Sequence, residues 1–153
     1  MPMGFASQVF DQGDHLPKRY VRGGENISPP LHWWDAPAGT RSFAVLMEDP
    51  DAPKGTFRHW GFHDIPRSYL DLPEAAGRYG QATGRHGVND FGEPRYDGPE
   101  PPIGKGPHRY VFRLYALNVS KLDAPHSASV AQVFEAARSH VIAEAEIMGL
   151  YER

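Results

Sequence analysis

The sequence predicts a mainly β domain, an antiparallel two-sheet sandwich with a C-terminal helix. Three observations carry that expectation. Ser42 to Glu48, His59 to Ile65 and Tyr110 to Asn118 have the length and composition of strands. Glycine (16) and proline (15) are spread through the segments between them, as in a loop-rich globular chain. Beyond residue 129 the apolar spacing becomes helical, and strands followed by a helix suit a sandwich with a helix packed at one end.

Size and charge narrow the class. A chain of 153 residues suits one domain over residues 1–153. A domain of that size buries about 70% of its unfolded surface, so it needs no staples. Cysteine is absent, which excludes disulfides and cysteine-ligated metals and fits a reducing compartment. The net charge of −3 argues against a general nucleic-acid binder. No apolar run approaches the ~20 residues of a membrane helix. Met1 to Phe10 lacks the basic flank and apolar core of a secretory signal, so the expected location is the cytoplasm.

Residues 1 to 40 read as mostly loop, with Asn26 to Leu31 extended. Pro29 and Pro30 lack backbone donors, which makes this piece an edge or a cover. Ser42 to Glu48 is apolar on both faces, as a central strand is, and ends at Asp49-Pro50. His59 to Ile65 is closed by Pro66. Residues 66 to 107 read as one long loop, functional or holding short strands. Tyr110 to Asn118 is the clearest strand. Val130, Val133, Phe134, Ala137, Val141, Ala145 and Met148 recur at helical spacing, which predicts helix as far as Gly149. Ser129 and Gln132 form a capping-box pattern, and Ser139-His140 marks a break between two shorter helices.

Three stretches bring chemistry to strand ends: Asp49-Pro50-Asp51-Ala52-Pro53, Arg58-His59-Trp60 and Gly106-Pro107-His108-Arg109-Tyr110. Side chains two apart on a strand share a face. His108, Tyr110, Phe112 and Leu114 therefore lie on one side, and Val45, Met47 and Asp49 do the same. Both stretches run from core into a polar rim. His59 and His108 can donate to an anion, Tyr110 adds a hydroxyl, and Asp49 can orient a histidine. A phosphate ester or a carboxylate suits such a pocket. Arg109 falls on the opposite face and is expected in a structural ion pair. Asn89-Asp90 is expected to brace the long loop. The other histidines read as surface or packing residues. No His-Glu-x-x-His pattern points to zinc, and no metal or cofactor is expected.

Gly24-Glu25-Asn26-Ile27-Ser28-Pro29-Pro30-Leu31, Trp33 and Ala36-Pro37-Ala38-Gly39-Thr40 come first in a longer series. Asp49-Pro50-Asp51-Ala52-Pro53, His59-Trp60, Gly87-Val88-Asn89-Asp90-Phe91-Gly92, Tyr96-Asp97-Gly98-Pro99 and His108-Arg109-Tyr110-Val111-Phe112 follow in order. The series resembles the phosphatidylethanolamine-binding protein family, in its prokaryotic Raf-kinase-inhibitor-like branch, over nearly the whole chain. The resemblance implies a two-sheet sandwich and a pocket for phosphate or a phosphoryl head group. Carried over by position, Asp49, His59, His108 and Tyr110 line that pocket, Pro53 and Pro101 wall it, and Asp51 buttresses its loop. Lys54 replaces an expected small residue and would add positive charge near the anion. Trp34 adds a second indole that would cover a neighbouring surface.

The leading expectation is a non-enzymatic binding protein for a phosphorylated or anionic group. Relatives are linked to inhibition of kinases or serine proteases, so a protein partner of that kind and a homodimer are further expectations. The alternative is a small phosphodiester or ester hydrolase with His59 and His108 as its acid–base pair. No Gly-x-Ser-x-Gly elbow supports a serine nucleophile. A third reading makes the chain a protein inhibitor whose pocket is a relic.

Overall fold

The structure is a computed structural model that describes residues 2–78 and 84–153. Its strands in chain order are β1 (Gly4–Ala6), β2 (Leu31–Trp34), β3 (Ser42–Asp49), β4 (Phe57–Pro66), β5 (Asp71–Leu72), β6 (Arg85–His86), β7 (His108–Leu117) and β8 (Val141–Tyr151). One α-helix, α1 (Val130–Ala137), precedes the last strand. Strands pair in the order β1-β2-β5 in one sheet and β6-β4-β3-β7-β8 in the other, all antiparallel. The expected two-sheet, mainly β architecture is the one observed.

The main core lies between the sheets. Phe5, Leu31, Trp33 and Leu72 from the smaller sheet meet Phe43, Val45, Met47, Trp60, Phe62, Phe112 and Leu114 from the larger one. β3 is buried on both faces for a simple reason. Its odd residues Phe43, Val45 and Met47 enter this core, while Ala44 faces a second cluster with Leu117, Leu122, Val133 and Ala137 beneath α1. α1 rests on β4 where Gly61 leaves space: a Cβ there would come within 2.9 Å of both methyls of Val130. Ser129 caps the helix as expected, its hydroxyl accepting from Gln132 N and its own N–H donating to Gln132 Oε1. Loss of such a cap costs about 1 kcal/mol.

The expected long helix is corrected. α1 ends at Ala137, a 3₁₀ turn spans Arg138–His140, and Val141–Tyr151 is the strand β8. Ser139-His140 therefore marks a helix-to-strand change. The run Ala143-Glu144-Ala145-Glu146 satisfies a period of two as well as a helical one. Pairing with β7 from His108↔Tyr151 to Leu117↔Val141 decides between them. Gly149 is not a helix terminator. It faces Tyr110 across the pair, and a Cβ on it would meet Leu16 Cδ2 at 2.6 Å.

The N-terminal loop contains two short strands, β1 and β2. Trp34 lies against Gly4, leaving no room for a Cβ there, and is half exposed. Residues 66–107 hold β5 and β6, and residues 79–83 of that predicted loop lie outside the described residues. No helix among the described residues is long and apolar enough to cross a membrane.

Candidate functional site

β4 is not a regular strand, and its irregularity builds the site. Met47 pairs with Trp60 and Glu48 with Arg58, so His59 is an extra residue opposite no partner. Such a bulge re-aims the side chain it carries. Trp60 is fully buried in the core, and His59 is turned to the same side, edge-on to Tyr110 with ring centroids 5.5 Å apart. Simple strand parity would have put His59 and Trp60 on opposite faces.

β7 supplies the opposing residues without irregularity. His108, Tyr110, Phe112 and Leu114 all point inward and are buried, as parity predicts. Arg109 points outward. Its guanidinium makes a two-pronged bond to Asp51, Nε to Oδ2 at 3.0 Å and Nη2 to Oδ1 at 2.8 Å, and its backbone N–H adds a third at 2.8 Å. The Arg109 hydrogen bonds, against the effect of burial, hold the Asp51 carboxyl down at about 2. Asp51 thereby anchors the 49–53 loop to the start of β7. Asp51 N–H in turn donates to Asp49 Oδ1 at 2.8 Å, so one loop orients both carboxylates.

These segments enclose a cavity of about 170 Å³ lined by Asp49, Ala52, Pro53, Phe57, His59, Phe91, Glu100, Pro101, Pro102, His108 and Tyr110. All six expected lining residues are on its wall, and Asp51 stands behind it. Lys54 is exposed and is not in the lining. Sequence reasoning missed the aromatic wall. Phe57 and Phe91 meet edge-on at 4.6 Å, and both contact the His59 ring. Arg22 lies over Phe91 at 3.9 Å and pairs with Glu100 at 3.0 Å. Phe57 sits two residues before His59 on the same strand, and that spacing was the available signal.

The hydrogen bonds around the rings are specific. Nδ1 of His59 is 2.8 Å from the Asp97 carbonyl. Nδ1 of His108 is 2.7 Å from Asp49 Oδ2. A carbonyl and a carboxylate only accept, so each Nδ1 carries a proton and donates it. The remaining ring nitrogen, Nε2, is then a donor only when the ring is charged. The expectation that both imidazoles donate to an anion holds for the protonated rings alone. Burial pushes His59 below the usual histidine range, with the Asp97 carbonyl and the Asp49 carboxylate opposing it. Burial, then the Asp49 charge, pushes the Tyr110 phenol far above its ordinary value, so it stays protonated. The Tyr110 hydroxyl is buried close to the Asp49 carboxylate, and it makes no well-aligned hydrogen bond among the described residues.

Asp97 was not singled out as a functional residue, yet it fixes His59. Its side chain is fully buried. Burial opposes its charge, but hydrogen bonds from Asn26, Asn89 and Arg95 outweigh that and hold it ionised. Gly98 lets this loop close: a Cβ there would lie 2.1 Å from the Tyr20 carbonyl oxygen. Asn89 braces the loop as expected, donating to the carbonyls of His59 and Arg95 and accepting from Phe91 N and Glu93 N.

Two larger hollows are less informative. One, about 450 Å³, lies between α1 and the outer face of the sheet, where Glu48 pairs with Arg113 and Glu135 with Arg138. The other, about 430 Å³, adjoins Asp64, which pairs with Arg85. Of these three hollows, the smaller one contains a buried hydroxyl without a well-aligned partner.

The profile of the phosphatidylethanolamine-binding protein family matches residues 6–152. The chain belongs to that family. It is 44% identical over 148 residues to a UPF0098 protein of Aquifex aeolicus, covering 96% of this chain and 86% of that protein. The crystal structure of Escherichia coli YbcL, described as a new member of the mammalian PEBP family, superposes with a TM-score of 0.94 at 36% identity. It covers 100% of this chain and 99% of the other. A phosphatidylethanolamine-binding protein homologue from Chlamydia trachomatis, CT736, gives a TM-score of 0.89 at 37% identity, covering 99% and 98% of the two chains. In this family member the sandwich, the short helix near the C-terminus and the strand-end cavity form one continuous frame.

Proposed function

We propose that this chain is a non-enzymatic receptor for a small oxyanion, a phosphate or the phosphoryl part of a head group, held in the cavity between Asp49, His59, His108 and Tyr110. The observation that carries the reading is the Tyr110 hydroxyl. It lies beside Asp49 without a well-aligned bond; a fully unpaired buried hydroxyl costs about 1–3 kcal/mol, and a ligand oxygen would supply the aligned partner. Two imidazoles with uncommitted Nε2 atoms flank it, so three polar atoms converge on one small volume. At about 170 Å³ the cavity lies below the ~300–1,000 Å³ of drug-sized pockets. That size suits a head group better than an acyl chain. Family membership supports the same class of ligand.

Titration followed by NMR tests the reading, with inorganic phosphate, phosphorylethanolamine and phosphatidylethanolamine vesicles as separate arms. The imidazole signals of His59 and His108 are expected to move in the first two arms. A response to vesicles alone would assign the site to membrane lipid. Unchanged signals in every arm at millimolar ligand would sink the proposal.

A hydrolytic reading is favoured by one observation, the pairing of two histidines in one cavity. Among the described residues, no serine or threonine lines it. Turnover of a chromogenic phosphodiester by the native chain, lost in His59→Ala, would replace the receptor reading with this one. Modulation of a kinase or serine protease would be an added role. It is read by comparing partner capture with the native chain and with His108→Ala.

A further inference from the structure

We propose that the pocket takes its anion together with a proton, so that anion binding and imidazole protonation are one event. The inference rests on the receptor reading above and adds its control. It begins with charge. In the lining, the Asp49 carboxylate accepts from His108 Nδ1, and Glu100 is the other carboxylate. No arginine or lysine is in the lining. Of the nearby cations, Arg109 is paired with Asp51 and Arg22 with the lining Glu100, while Arg153 donates through Nε to the Pro101 carbonyl and keeps a positive charge that reaches Tyr110. On the His59 side, Arg58 pairs with Asp90, and the Asp97 carboxylate is covered by Asn26, Asn89 and Arg95.

With both rings neutral the lining therefore carries the Asp49 carboxylate unbalanced by any lining cation, with Arg153 as the nearest outside charge, and presents lone pairs at two Nε2 atoms. Tyr110 is the single donor facing a ligand. An oxyanion entering that arrangement meets a carboxylate and two acceptors in a partly desolvated space, where repulsion is strong. One added proton changes both terms. It converts an Nε2 lone pair into a charged donor, and it cancels the Asp49 charge. The fixed Nδ1 bonds to Asp97 and Asp49 make Nε2 the atom that receives it. Burial disfavours the charged form of the His59 ring, so an anion placed against Nε2 is what favours its protonation.

Dimethyl phosphate is the probe, because it stays a monoanion across pH 5.5–8 and brings no proton of its own. Isothermal titration at pH 7 in two buffers of different ionisation enthalpy reads the protons taken up. The expected result is uptake approaching one proton per anion bound. Affinity should fall up to about tenfold per pH unit on the alkaline side of the imidazole titration. Imidazole ¹⁵N shifts of the native chain should show His59 or His108 becoming doubly protonated on saturation. Binding with no proton uptake and no pH dependence would overturn this inference while leaving the receptor reading intact. Absence of binding at every pH would overturn both.

Discussion

The two ends of β4 use the same parts and reach different results. Each end carries a bulge, a histidine and an aspartate. At the first, His59 is the extra residue between the pairs Met47↔Trp60 and Glu48↔Arg58. At the second, His63 and Asp64 stand between Val45↔Phe62 and Phe43↔Ile65. Asp64 is held at φ 60°, a left-handed conformation that aspartate tolerates better than most residues. Its capacity is used by the fold: Oδ1 accepts from Leu122 N at 2.9 Å and sits 3.2 Å from His63 Nδ1, and Oδ2 accepts from Arg85 Nε at 3.0 Å. At the His59 end the carboxylate is equally occupied, by Asp51 N and His108 Nδ1. The difference lies in what is left over. The Asp64 carboxylate ties together a strand, a loop and an arginine. The first end leaves two Nε2 atoms and a phenol aimed at a cavity. A bulge with a His–Asp pair is therefore not itself a site; polar atoms aimed into a cavity make one, whereas the buried His63 Nδ1 stands beside Asp64 and lines none of the hollows described.

Breaking the second end should have the largest effect on stability. Asp64→Ala removes a buried carboxylate, leaves Leu122 N–H without an acceptor and puts alanine at a positive φ. A loss of about 3 kcal/mol in urea unfolding is expected. Phosphate affinity, corrected for the folded fraction, should not change. A loss under about 1 kcal/mol would show that the Asp64 cluster is no clamp.

At the first end the same kind of deletion should separate binding from stability. Tyr110→Phe removes a hydroxyl that has no well-aligned partner in the free protein, only the nearby Asp49 carboxylate. Stability should stay level or rise by up to about 1 kcal/mol. Affinity for phosphate should drop about tenfold, the loss of one hydrogen bond worth roughly 1.4 kcal/mol. A variant that loses stability and keeps its affinity would reverse the assignment of the two ends.

Much of this contrast was legible in the sequence, but not its cause. Parity placed His108, Tyr110, Phe112 and Leu114 correctly because β7 pairs with β8 in unbroken register from His108 to Ala116. It also sent Arg109 outward to Asp51. On β4 parity fails, because a bulge depends on how one strand slips against its neighbour, and no local residue pattern announces it. Asp97 escaped attention for a related reason. A buried aspartate in a Pro- and Gly-rich loop looks like any turn residue until Asn26 and Asn89, far away in sequence, close on it. The helix was overextended because alanine and glutamate alternate in Ala143–Glu146 while also being good helix formers. Only a waiting edge on β7 resolves that ambiguity.

The smallest expected effect is on pH dependence, and it sharpens the comparison without any substitution. Burial holds His59 and His86 below the ordinary histidine value in the fold. The unfolded chain takes up protons near pH 6.5 that the native state refuses. The unfolded state then binds more protons, so stability rises with pH. The contribution is fully present above about pH 6.5 and is lost as pH falls from there toward the depressed native values, by at most about 1.4 kcal/mol per pH unit for each group. Urea midpoints of the ligand-free chain between pH 8 and 5.5 should therefore decline. Saturating dimethyl phosphate should flatten the decline, because the bound anion restores proton affinity at His59 but not at His86, whose Nδ1 accepts from Trp60 Nε1 within the fold. A decline identical with and without the anion would place the titrating group away from the cavity.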